Sequence, residues 1–168
     1  MIRVRRYTAA DSRPVARLFR ELSKAHRDLY PGLRVAGSKD PDGWFRRHLR
    51  RYGGKSLRVA EEDGRIVGLV GLIPCRGRGE IEPLIVAKRC RKRGIGRLLV
   101  QSVVKEARRR RWKGLTVGIA PRNDVAFRTF HALGFRMLTS IDLQMRLRRP
   151  VQFPPRPGPL IAGRRFRS

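Results

Sequence analysis

The sequence predicts one α/β (α+β) domain in which about four helices flank a mixed β-sheet. Three observations lead there. A chain of 168 residues with 40% apolar content suits a single domain with a sizeable core. Segments of period 2 and period 3.6 follow one another in the order β-α-α-β-β-β-α-β-α-β. Mostly antiparallel neighbours precede a β-α-β unit, and that unit makes the sheet mixed.

Residues 2–7, IRVRRY, alternate apolar and charged side chains as a strand does. Asp11 or Ser12 can N-cap the next segment and Pro14 suits a first helical turn. Val15, Leu18, Phe19 and Leu22 then share one helical face. Pro31-Gly32 breaks the chain, and Asp40-Pro41-Asp42 opens a second helix that Gly53-Gly54 ends. Residues 56–61 and 65–73 read as a hairpin around Asp63-Gly64. A second turn at 76–79 leads into the strand EIEPLIV, residues 80–86. The clearest helical stripe runs through 95–112, with Arg108 to Arg111 at the end where cations meet the negative pole of the helix dipole. Residues 115–120 form a further strand, and VAFRTFHAL a last helix stopped at Gly134. The closing strand is expected at 137–147. The domain is thus expected to span 1–147, and 148–168, with five prolines and six arginines, to form a disordered basic tail.

The chain carries 41 Lys+Arg against 13 Asp+Glu, a formal charge of +28. A field of this sign attracts nucleic acid, acidic membrane surfaces or a phosphorylated cofactor. The plainer reading is a generally basic surface with no dedicated partner. Aromatic residues are 7% of the chain and stand apart from the arginine runs, so no base-stacking platform is visible. No apolar run reaches the roughly 18–20 residues of a membrane span, and the N-terminus lacks the apolar stretch of a secretory signal. Cys75 and Cys90 make no disulfide framework, so a reducing, cytoplasmic location is expected.

The stretch AKRCRKRGIGR joins the strand 80–86 to the helix at Ile95. Gly94 and Gly96 let backbone approach a ligand with no Cβ between them. The first N–H groups of the following helix lack intrahelical partners and lie at its positive pole, which makes an anion site. Lys88, Arg89, Arg91, Lys92 and Arg93 precede it and Arg97 follows. A P-loop is absent, and a dinucleotide fingerprint would require a glycine where Leu99 stands. The same residues also suit a glycine-bearing helix start with solvated arginines.

RKRGIG, residues 91–96, resembles the Q/R-x-x-G-x-G/A signature of the GCN5-related N-acetyltransferase (GNAT) superfamily. IEPLIVAK before it and RLLVQSVVKEARRR after it are similar to the rest of that family's motif A, and NDVAFRTFHALGF, residues 123–135, to its motif B. The N-terminal RYTAADSRPVARLFREL and the hairpin VAEEDGRIVGLVGL look like its usual opening, so the likeness covers about residues 2–147. The resemblance implies a sheet splayed between its fourth and fifth strands and acetyl-CoA as co-substrate, with no metal. It implies that the backbone of Leu84, Ile85 and Val86 pairs with the pantetheine arm. Around the pyrophosphate it places Arg91, Lys92, Arg93, Gly94, Ile95, Gly96 and Arg97, with backbone N–H groups from Lys92 onward as the donors. Asn123 matches a residue that contacts the cofactor. Pro83 suits the splay, since proline favours a bulge or an edge.

Acetyl transfer to an amine needs a neutral nucleophile, and a lysine-like amine with a pKa of about 10.4 costs roughly 4–5 kcal/mol to deprotonate at pH 7. An α-amine near 7.7–8.0 costs only about 1 kcal/mol. Many members place an acid Tyr seven residues after the motif B Asn, and here that position is Phe130. Some place a base Glu on the strand before motif B, where Gly118 stands. Another branch has its base eleven residues before the glycine signature, which is Glu80. Glu82 is two residues nearer the splay. Glu80 and Glu82 share parity with Leu84 and Val86, so one strand face is expected to carry all four. Both acids also suit ordinary ion pairs in an Arg-rich chain. His131 points about 100° away from Phe130 around the helix, onto the surface or into packing.

Two functions follow. The first is an acetyl-CoA-dependent N-acetyltransferase acting by direct attack in a ternary complex, on a small amine, a protein N-terminus or a lysine. The second is a basic nucleic-acid- or ribosome-associated module that keeps the fold with weak or no catalysis. Oligomeric state is left open.

Overall fold

The computed structural model describes residues 1–29, 40–140, 157–161 and 163–167. Five strands form one sheet in the order β1-β2-β3-β4-β5: β1 Ile2–Arg6, β2 Leu57–Glu62, β3 Arg65–Cys75, β4 Arg78–Val86 and β5 Leu115–Thr116. The first three junctions are antiparallel and β4 runs parallel to β5. Four helices accompany them: α1 Ser12–Leu29, α2 Pro41–Tyr52, α3 Ile95–Arg109 and α4 Asp124–Ala132. The mixed sheet and the helix count agree with the sequence reading.

Local chemistry explains most boundaries. Asp40 accepts the Gly43 N–H at 2.7 Å and starts α2, with Pro41 in its first turn. Asp63 and Gly64, both at positive φ, turn β2 into β3. At the start of α1, Asp11 accepts the Thr8 N–H at 2.8 Å and pairs with Arg5, so it closes the short turn Ala9–Asp11 before the helix.

The core runs from Val15, Leu18 and Phe19 of α1 through Leu57, Val59, Leu69 and Val70 to Ile95, Leu99, Val100 and Val103 of α3. β3 is buried at seven consecutive residues, 67–73, as a strand is when both faces are covered. α3 covers one face: a Cβ on Gly68 would press on Leu99 and Ile95. α1 packs on β3 and β4, and α2 packs on α1.

Two features of β4 shape the site. Gly71 of β3 opposes both Glu82 and Pro83, where the register slips between Val70 and Leu72. A side chain at Gly71 would collide with the Glu82 carbonyl, so this bulge requires glycine. Proline fits the bulge because it has no N–H for the ladder. On its other edge β4 pairs with β5 only through Gly79↔Leu115 and Glu80↔Thr116. Beyond Glu80 the two strands no longer pair, in keeping with the splay that the resemblance implied.

Four expectations need correction. The strand expected at 115–120 is two residues long, because the partner strand moves away after Thr116. The closing strand expected at 137–147 is absent at 137–140, and the rest lies outside the described residues. The tail is not irregular throughout: Pro157–Ile161 and Arg164–Arg167 pair antiparallel around Gly163 at φ 71, a local hairpin hidden by the Pro/Arg-rich composition. Finally, the bulge inserts one residue and resets the parity of β4. Leu84 and Val86 pair with Val70 and Gly68, on the α3 face, whereas Glu80 pairs with Ile73 and shares the face of Ile85 and Leu69.

Candidate active site

The loop between β4 and α3 is wound tightly. Lys92 lies at φ 61 and Gly94 at φ 77, both left-handed, and Gly94 is the N-cap of α3. The first helical bond runs from the Leu98 N–H to the Gly94 carbonyl, so the N–H groups of Ile95, Gly96 and Arg97 precede the ladder. No heavy atom lies within 4 Å of where a Gly94 Cβ would stand, and the nearest to Gly96 is Val86 Cγ2 at 3.8 Å. Unpartnered donors, a positive helix pole and open space therefore coincide, which fits a diphosphate.

Side chains hold this loop in place. Ile95 and Cys90 are buried and pin its two halves to the core. Glu21 of α1 accepts the Lys88 N–H at 2.8 Å. Glu62 at the end of β2 takes a two-point ion pair from Arg93, one bond at 3.0 Å. The Arg91 Nε donates to the Val86 carbonyl at 3.1 Å. Arg91 and Arg93 thus donate back to the protein, although both, like Lys92 and Arg97, are exposed. The sequence reading missed Glu21 and Glu62, since each reaches the loop only through tertiary contact.

The unpaired edge of β4 leads from this loop past Val86, Ile85 and Leu84 to the two acids. Glu82 and Glu80 are half-buried. Among the described residues neither lies within ion-pair distance of a cation, which separates them from the ordinary ion-pair reading. Burial, and then the Glu80 charge, push the Glu82 carboxyl above its ordinary value, and Arg51 at the end of α2 pulls the other way. A half-buried carboxylate of raised pKa has the character of a general base. Arg51 is a third participant that the sequence reading missed. No group of three or more His, Cys, Asp or Glu side chains suited to a metal ion occurs among the described residues.

The comparisons with known proteins bear on this arrangement. Residues 17–135 match the family model described as Acetyltransferase (GNAT) family. The chain belongs to the GNAT family. A probable N-acetyltransferase, camello, of Xenopus laevis is 36% identical over 81 residues, a stretch that covers 46% of this chain and only 37% of that relative. Among solved structures, a GNAT-family acetyltransferase of Staphylococcus aureus Mu50 superposes with a TM-score of 0.67 at 18% identity, over 90% of this chain and 95% of that one. The PaiA N-acetyltransferase of Thermoplasma acidophilum, in complex with coenzyme A, also gives 0.67 at 16% identity, over 84% and 93%. A ribosomal-protein-alanine N-acetyltransferase of Brucella melitensis gives 0.61 at 24% identity, over 80% and 84%. At these identities the structural likenesses show the fold alone.

This GNAT chain departs from the usual pattern where the sequence indicated. Phe130 is 4% exposed and stacks edge-to-face on Phe135, with ring centres 5.3 Å apart. It is a core residue with no hydroxyl. Gly118 is exposed and carries no acid, and His131 lies on the surface. Asn123 caps α4, its side-chain oxygen accepting the Ala126 N–H at 3.1 Å, and the amide NH2 is the donor it still offers a ligand. Of the tyrosines, Tyr7 bonds Ser12 Oγ at 2.6 Å, Tyr52 packs on His48, and Tyr30 lies outside the described residues.

Proposed function

We propose that the chain is an acetyl-CoA-dependent N-acetyltransferase that passes an acetyl group to a primary amine by direct attack in a ternary complex. The observation that carries this reading is the coincidence of two openings. The helix mouth at Gly94–Arg97 and the unpaired edge of β4 meet at Val86. Together they offer donors for a diphosphate and a strand edge for an amide-bearing arm.

Acetyl-CoA supplies the acetyl group as an activated thioester. The N–H groups from Lys92 to Arg97 hold the diphosphate, and the backbone of Leu84, Ile85 and Val86 orients the arm. The Asn123 amide adds a donor from α4. A carboxylate oxygen of Glu82 takes the proton from the acceptor ammonium, and burial, with the Glu80 charge beside it, keeps the carboxyl basic enough to do so. Phe130 has no proton to return to the leaving sulfur. Glu82, once protonated, is the acid on this wall. No activated covalent nucleophile is required. The acetylating unit is the region 1–147. Cys75 and Cys90 are both free thiols, in keeping with a cytoplasmic setting. No helix among the described residues is long and apolar enough to cross a membrane.

A free-thiol release assay over a panel of small amines, peptides with free N-termini and lysine peptides tests this reading. Acetyl-dependent release with at least one class is expected, and none with any class contradicts it. Glu82→Gln is expected to lower kcat/KM by roughly 100-fold. It is also expected to remove an acidic limb lying above the ordinary glutamate range, and Glu80→Gln to shift that limb down. A pH profile unchanged in both variants removes Glu82 as the base. Phe130 favours the second reading, a module with weak catalysis. That reading predicts cofactor-induced stabilisation with no thiol release.

A further inference from the structure

The far end of α3 gathers positive charge beyond what the fold requires. Glu106, 7% exposed, accepts from Arg109 at 2.8 Å, from Arg110 at 2.7 Å and from Arg58 of β2 at 3.4 Å. One carboxylate thus fixes three guanidinium groups drawn from two elements. Arg6 of β1 pairs in register with Arg58 and adds a fourth guanidinium. Arg108 and Arg111, which flank Arg109 and Arg110 in the chain, are exposed. The helix dipole accounts for cations at a C-terminus, but its half charge and one carboxylate leave the cluster strongly positive. Burial lowers the Arg58 pKa, the Glu106 charge pulls it back up, and Arg6, Arg110 and Arg109 add to the lowering. A set of like charges held together against repulsion suits a ligand of repeated negative charge.

We infer that the surface formed by Arg6, Arg58 and residues 108–111 docks the phosphate backbone of a nucleic-acid duplex, independently of base sequence. Guanidinium forks held in place match phosphate oxygens with little ordering cost on binding. Base stacking is not offered, because Arg110 covers the Trp112 ring at 5.1 Å. Backbone contact is then the readout, and backbone contact carries no sequence information. A membrane surface would call for apolar side chains beside the cations. The large exposed apolar residues among those described, Met1, Leu98, Val125, Phe127, Met137 and Leu138, all lie outside the cluster in sequence. The surface stands at the opposite end of α3 from the cofactor loop, about 20 Å along the helix. It does not rest on the proposed acetyl transfer.

Fluorescence anisotropy of two unrelated labelled 20-bp DNA duplexes, titrated with the full chain between 50 and 200 mM salt, tests the inference. Equal binding of both, with a steep salt slope, is expected. Arg108→Ala/Arg109→Ala/Arg111→Ala should reduce that slope by about 2–3, since each phosphate contact contributes about 0.9. Arg13→Ala/Arg17→Ala/Lys24→Ala on the exposed side of α1 removes the same charge and should change the slope by less than about 1. If the first variant melts early, Arg6→Ala/Arg108→Ala/Arg111→Ala, which leaves every Glu106 contact in place, takes its role. Equal losses in the α1 and α3 variants overturn the inference, as does absence of duplex binding. Tighter binding to phosphatidylserine vesicles than to duplex, lost in the α3 variant, also overturns it. Coenzyme A binding by the α3 variant should be unchanged.

Discussion

The two ends of α3 carry similar charge for opposite physical reasons. At the C-terminus, Arg108 to Arg111 meet the negative pole of the helix, and a buried carboxylate organises three arginines. At the N-terminus, Lys88, Arg89, Arg91, Lys92 and Arg93 crowd the positive pole, where the dipole repels them. Two acids from distant elements, Glu21 and Glu62, hold that loop. Cations at a C-terminus stabilise the helix by themselves, whereas cations at an N-terminus call for an anion. The contrast favours an anion at the N-terminal loop without reference to any relative.

The sharpest break in that contrast is at the N-terminal end. Gly94→Glu or Gly96→Glu places a carboxylate in the open space of the helix mouth and is expected to abolish measurable coenzyme A binding in calorimetry. At position 94 the substitution also strains a φ of 77. Retained affinity in both variants would return the loop to a merely solvated helix start.

The corresponding change at the other end should cost stability and leave the cofactor alone. Glu106→Ala is expected to destabilise the fold by about 1–3 kcal/mol, below the value for a fully buried pair because Arg109 is 68% exposed. Denaturant melts with and without coenzyme A separate the two effects. The pH dependence has a definite sign. Its arginine neighbours lower the Glu106 carboxyl to about 2, and Arg5 lowers Asp11 to about 2. Their contributions are therefore complete above the unfolded carboxylate range and are lost as pH falls from about 4.5 toward 2. His48 acts earlier. Burial lowers it to about 4, so its protonation weakens the fold as pH falls from about 6.5. The Glu106 contribution is thus read as the difference between parent and variant.

The smaller effects concern supports. Glu62→Gln should raise the coenzyme A dissociation constant by about two- to fivefold, since an exposed ion pair contributes little and here only orients the loop. Removing residues 148–168 should leave both melting temperature and coenzyme A affinity close to those of the full chain. Unfolding of the truncated chain would place the tail within the domain.

Most of the fold was legible because its signals are local. Asp40-Pro41, Asp63-Gly64 and the 3.6-residue stripe of α3 act within a few residues of themselves, and the structure places α2, the β2–β3 turn and α3 there. The glycine loop was legible for the same reason. The bulge at Glu82–Pro83 was only half legible: Pro83 marks it, but the glycine it needs is Gly71 on the neighbouring strand. That hidden partner is why simple parity put Glu80 on the wrong side of β4. The braces from Glu21 and Glu62, the Arg51 field at Glu82 and the reach of Arg58 to Glu106 join residues 31 to 67 positions apart. No local pattern encodes such contacts. The length of β5 was equally hidden, because a ladder ends where its partner departs.

On the proposed reading, main-chain amides at the start of α3 hold the diphosphate of coenzyme A. Backbone amide chemical shifts, followed as unlabelled coenzyme A is titrated into the isotope-labelled chain, test it most directly. The largest changes are expected at Lys92 through Arg97, with little response from Glu106 through Arg110. Largest changes at the arginine-rich end of the helix, or none at Gly94 and Gly96, would contradict it.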